Sequence, residues 1–135
     1  MGIYIKPGFV NDRITDATKM KVGDFGFHGD VVIKKVTEAP KNLVEGESNQ
    51  YKYLALGELT GHIHQLQTED GQMDTEVMVL DVPDSETKYL QVPEGHKTTL
   101  RHQEHTPIEL GEGTYEIVVQ QEYDYLSDAI RRVMD

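Results

Sequence analysis

The sequence predicts an all-β fold: a small single-domain barrel or sandwich with a short C-terminal helix. Two observations carry this. Short apolar or alternating runs recur along the chain, each of strand length. Turn signals close these runs at frequent intervals: Pro7-Gly8, Asp70-Gly71, Pro83-Asp84-Ser85, Pro93-Glu94-Gly95 and Gly111-Glu112-Gly113. With 135 residues there is material for one core, so residues 1–135 are read as one domain.

Taken in order, Ile3-Tyr4-Ile5 suggests an edge strand that Pro7-Gly8 ends. Residues 11–21 hold no sustained period. Gly29 to Val36 is β-branched and mostly apolar, a strand. Thr37 to Gln50 reads as a loop, long for a small domain, with carboxylates and little apolar content. From Tyr51 the pattern sharpens. Leu54, Leu56, Glu58, Thr60, His62, His64 and Leu66 share one face if the strand is continuous, which would carry Glu58 and both histidines inward. Gly57 and Gly61 act against that continuity, because glycine in a strand marks a bulge. Glu69 to Gln72 is a hairpin turn. Val77–Val82 and Tyr89–Val92 are strands, and Thr98-Thr99-Leu100 leads to a second histidine pair. Tyr115, Ile117, Val119, Gln121 and Tyr123 alternate with Glu116, Val118, Gln120 and Glu122 in the clearest half-buried strand. Ser127 caps a final helix over Asp128 to Met134.

Composition narrows the function. The net charge of −11 argues against nucleic acid and anionic membranes as partners, since phosphate attracts Lys and Arg. Mean hydropathy is −0.54, and no apolar run approaches membrane-spanning length. The N-terminal run lacks the layout of a signal peptide. A cytoplasmic setting is expected, or a virion-associated one if a phage encodes the protein. Without cysteine, any metal must be held by imidazole, carboxylate, carbonyl or water. There is no Gly-x-Ser-x-Gly elbow and no Walker-type glycine loop.

Chemistry concentrates in the histidines, of which four of six fall in two tight pairs. His62 and His64 sit two apart, so on a strand both imidazoles reach one ion. His102 and His105 are three apart and converge only if Gln103-Glu104 bends the chain. Neutral imidazole is the commonest ligand for Zn, Fe, Ni and Cu. Carboxylate candidates are Glu58, on the parity of the first pair, and Glu104, inside the second. The expected site is therefore His62, His64, His102 and His105, with Glu58 or Glu104, around a divalent transition metal (Zn, Fe, Mn or Ni). His28, between phenylalanine and glycine, and His96, in a turn, read instead as hydrogen-bonding residues near turns.

The run Gly57 to His64 resembles the first motif of cupins, with a glycine, His-x-His and a following acid at Glu69. Pro93-Glu94-Gly95-His96 is similar to their second motif. The Gly57 to His62 gap is one residue short and His96 adjoins its glycine. The resemblance implies a jelly-roll barrel, often dimeric, with an internal metal. More of the chain is similar to a family of small bacterial and phage proteins of unknown function. Those residues are Gly57-Glu58, Thr60-Gly61-His62 and His64, then His102, Glu104-His105 and Pro107-Ile108, then Gly113, Tyr115 and Gln121-Glu122-Tyr123. That resemblance implies that both histidine pairs belong to one signature, and it implies no activity.

Two functions are weighed. One is a metal-binding β protein of unknown reaction with a small-molecule ligand, forming a homo-oligomer. The other is a non-enzymatic assembly or virion subunit, in which the histidines are structural or interfacial.

Overall fold

The computed structural model describes residues 15–29, 31–56, 63–102 and 105–119. Among the described residues, ten strands form two five-stranded sheets that do not close into a barrel. The first sheet runs, across its width, β1 (Thr15–Asp16), β9 (Ile108–Leu110), β8 (Thr98–Arg101), β5 (Ile63–Gln67) and β4 (Tyr53–Leu56). The second runs β2 (Phe25–His28), β3 (Val31–Val36), β10 (Gly113–Val119), β7 (Lys88–Val92) and β6 (Met78–Asp81). Every pairing is antiparallel except that of β1 with β9. The result is a sandwich-like all-β fold. No helix among the described residues is long and apolar enough to cross a membrane.

Period-2 alternation decides which face each strand buries. In β10 Tyr115 and Ile117 are buried, while Glu116 stays partly open and takes a 2.7 Å hydrogen bond from the Tyr89 hydroxyl. Val31 and Ile33 of β3 lie buried opposite Val119 and Ile117. From the other sheet come Leu54, Leu66, Leu100, Ile108 and Leu110, all fully buried. Each such side chain contributes about 1.5–3 kcal/mol relative to exposure. The two inner faces share one apolar core, and the site lies where that core gives way to polar side chains.

Two expectations change. The stretch from Leu54 to Leu66 is not one strand. β4 and β5 are antiparallel partners, with Ala55 opposite His64 and Leu56 opposite Ile63, so the chain reverses between them. The apolar parity runs on through the sequence because both arms of the hairpin face the same core. Glu58, Thr60 and His62 lie outside the described residues. The loop from Thr37 to Gln50 also ends early, in a short helix, α1 (Glu47–Tyr51). Ser48 Oγ donates to Asp81 Oδ1 at 2.7 Å, and Val79 N donates to Asn49 Oδ1 at 2.9 Å. These bonds fasten α1 to β6. The strand at residues 3–5, the helix at 128–134 and Glu104 fall outside the described residues.

Candidate functional site

Four histidines meet at one end of the sandwich. His28 is the last residue of β2. Its neighbour across the strand pair is the fully buried Val31, so its ring points inward from the second sheet. His64 shares a face of β5 with Leu66 and points inward from the first sheet. Both are 2 % exposed, and their Nδ1 atoms lie 2.9 Å apart. His102 follows the end of β8 and is half-buried; His105 stands in the β8–β9 connection. The His102 ring centre is 4.3 Å from that of His64 and 4.5 Å from that of His105. His28 is 5.0 Å from His64, 5.6 Å from His105 and 6.4 Å from His102. His64 and His105 stack at 6.0 Å. All pairs of the four rings are thus neighbours.

Gly29 makes room for this. Its φ is +63°, a left-handed conformation, and a Cβ there would overlap the His105 ring. Glycine lets the chain turn from β2 to β3 while His105 lies against its backbone.

The hydrogen bonds fix one tautomer. His28 Nε2 lies 3.0 Å from the carbonyl of Thr106, and a carbonyl only accepts, so Nε2 carries the proton. In the neutral ring His28 Nδ1 is then an acceptor, and the 2.9 Å contact is a hydrogen bond donated by His64 Nδ1–H. Burial pushes the His28 pKa down to about 3, helped by the adjacent His64 and His105; the bond to Thr106 opposes the shift. At neutral pH His28 is therefore an uncharged imidazole with its Nδ1 lone pair turned into the cluster. A backbone carbonyl on the far nitrogen is the usual way a ligating histidine is oriented.

A second group lies elsewhere. Asp74, fully buried, and Glu76 bracket His96: His96 Nε2 is 2.7 Å from Asp74 Oδ2 and Nδ1 is 2.9 Å from Glu76 Oε2. One ligand atom from each residue lies within 4.8 Å of the others, close enough to hold an ion. Burial works to raise the Asp74 pKa, but hydrogen bonds from Thr98, His96 and the Glu76 amide together hold it below the usual carboxylate value. This group is satisfied by its own hydrogen bonds.

Residues 27–120 match the family model of a domain of unknown function, DUF8820. The chain belongs to this family. The DUF8820 match begins one residue before His28 and takes in every described residue of both polar groups. No curated protein and no solved structure matches the chain significantly.

Of the residues expected from sequence, the fold brings His64, His102 and His105 together. His62, Glu58 and Glu104 lie outside the described residues. Sequence reasoning missed His28, which it assigned to a turn, and it did not link His96 to Asp74 and Glu76. The parity of β2 was the available signal for His28: Gly26 and His28 face inward with Ile33 and Val31. A four-residue strand with two aromatics and a glycine hid it.

Proposed function

We propose that this DUF8820 domain binds a divalent transition metal through His28, His64, His102 and His105. One observation carries the reading. Four imidazoles from two facing sheets and the β8–β9 connection have ring centres 4.3–6.4 Å apart. With Zn–N at about 2.0–2.1 Å, four imidazoles on a tetrahedral ion would set their ring centres about 5 Å apart. The observed spacings bracket that value. Two nitrogens of one ion stand about 3.3 Å apart in tetrahedral geometry and about 2.9 Å apart at adjacent octahedral positions, so the hydrogen-bonded His28 and His64 nitrogens, 2.9 Å apart, would have to lose their shared proton and, for a tetrahedral ion, separate slightly. Zn, Fe, Mn and Ni all remain admissible. His62, Glu58 and Glu104 are further candidate ligands from the sequence, and a carboxylate among them would favour an open, reactive ion over a closed structural one. The resemblance of Gly57 to His64 to the cupin motif supplies a precedent for His-x-His ligation.

The Asp74–Glu76–His96 group is the competing metal centre. His96 already has a carboxylate at each ring nitrogen, so an ion there would displace existing bonds. In the histidine cluster an ion would displace one proton, the one His64 Nδ1 shares with His28 Nδ1, and would gain up to four neutral imidazoles.

Elemental analysis of untagged protein, followed by Co²⁺ titration of the chelator-stripped form, tests the reading. Stoichiometric metal in wild type and in His96→Ala, lost in His64→Ala and His28→Ala, is expected. Loss in His96→Ala alone moves the metal to the carboxylate group. A wild-type protein that neither carries nor takes up metal would overturn the proposal.

A further inference from the structure

An open groove of about 220 Å³ lies on the outer face of the β5–β8 strand pair, lined by Ile63, Gln65, Gln67, Arg101 and His102. Ile63, Gln65 and Gln67 occupy the face of β5 opposite to the buried His64 and Leu66. Arg101 stands directly across from Gln65 and faces away from Leu100. His102 joins this cavity to the histidine cluster, since its ring is 4.3 Å from that of His64.

Arg101 is the informative residue. Its Nε is buried, and among the described residues no group accepts a hydrogen bond from it. Among the described residues no carboxylate pairs with its guanidinium, although the chain holds 24 acidic and 13 basic residues. A buried N–H without an acceptor is destabilising, and because this one is closed to solvent an outside acceptor removes that cost only if the Arg101 side chain shifts to meet it. Each glutamine commits one of its two amide N–H groups: Gln67 Nε2 to Gln65 Oε1 at 2.9 Å, and Gln65 Nε2 to the Tyr51 carbonyl at 3.1 Å. Arg101 is the one residue of this lining with a permanent positive charge.

We infer that this cavity takes a small organic carboxylate, its oxyanion on Arg101 and its other end toward His102; the orientation toward His102 rests on the metal reading above. A guanidinium fork matches a carboxylate in shape and forms two parallel bonds with it. One Arg balances one negative charge; a phosphate dianion would remain uncompensated in a protein of net charge −11. The volume lies below the ~300–1,000 Å³ of pockets for drug-sized ligands, so the ligand is small. Ile63 supplies apolar contact for its carbon body.

Calorimetric titration of the full chain with lactate tests this, with inorganic phosphate in parallel and with protein both metal-loaded and chelator-stripped. Lactate should bind, and Arg101→Gln should weaken it about 10- to 100-fold while unfolding temperature and metal content stay at wild-type values. Gln65→Glu, which sets a carboxylate opposite Arg101, should abolish lactate binding and guards against misfolding of the first variant. Arg101-dependent binding that is equal with and without metal upholds the cavity and removes its link to His102. Unchanged affinity in Arg101→Gln, phosphate binding at least as tightly as lactate, or no lactate binding to protein that holds metal overturns the inference and leaves the metal reading standing.

Discussion

At the scale of single residues the cluster depends on His28 and Gly29. With its pKa pushed down to about 3, His28 is neutral in the folded chain, whereas the unfolded chain titrates it near 6.5. Above pH 6.5 neither state binds the proton. Between 6.5 and 3 the unfolded state binds it and the folded state does not, so this residue removes stability as pH falls. The loss is about 1.4 kcal/mol per unit, and it stops growing below the folded value. Urea unfolding of chelator-stripped protein from pH 7 to 4.5 should show that slope, and His28→Gln, which keeps a donor for the Thr106 carbonyl, should flatten it. A slope that survives His28→Gln would show that another group carries the acid sensitivity. Asp74 acts in a lower window: with its pKa held down, its contribution is full above the unfolded carboxylate value of 3.8 and is lost as pH falls below it. Gly29 is a separate test. Gly29→Ala combines a φ of +63° with overlap on the His105 ring. It should cost more than about 1 kcal/mol in urea unfolding and should weaken metal binding. None of this was legible in the sequence, where His28 sits in an aromatic, glycine-flanked run with no pattern of its own.

At the scale of elements, short polar ties hold the connections to the sheets. Lys52 ends α1 in a left-handed conformation, φ +54°. Its Nζ donates to Asn49 Oδ1 at 2.7 Å and to the Val77 carbonyl at 2.8 Å, which draws α1 down beside β6. Lys52→Ala keeps the unfavourable φ and loses both bonds, so a cost of about 2 kcal/mol in chemical unfolding is expected, with metal content unchanged. His96 ties the chain after β7 to the segment before β6 through Asp74 and Glu76. His96→Ala should cost about 1–3 kcal/mol, because the buried Asp74 carboxylate loses a partner while Thr98 and the Glu76 amide remain. The strands β3, β6, β7 and β10 were readable from their apolar content and alternation. The β4–β5 hairpin was not. Its two arms carry the same inward parity, so a reader counting alternate residues meets no break, and Gly57 with Gly61 were the only marks of the reversal.

At the scale of the whole molecule, burial in both sheets makes one core. Leu100 lies in the first sheet between Leu66 and Ile108 and is fully buried. Leu100→Ala should cost about 2–5 kcal/mol in a single unfolding transition seen equally by far-ultraviolet circular dichroism and by calorimetry. Two separated transitions would mean that the sheets unfold independently. The all-β class and the sandwich alternative were determined by the sequence alone, because period-2 burial and turn chemistry are local properties that each strand writes in its own residues. So was the concentration of imidazole in two pairs, since spacing along a strand is fixed by the backbone. Which histidines meet was decided only in three dimensions. His28 and His64 are 36 residues apart and belong to different sheets, and their rings touch because the inner faces of those sheets pack on one core. Arg101 reads as an ordinary strand arginine for the same reason: that its Nε is buried without an acceptor depends on what β5 places across from it. Contacts between sheets are set by how apolar faces stack, and no local pattern in the chain records that stacking.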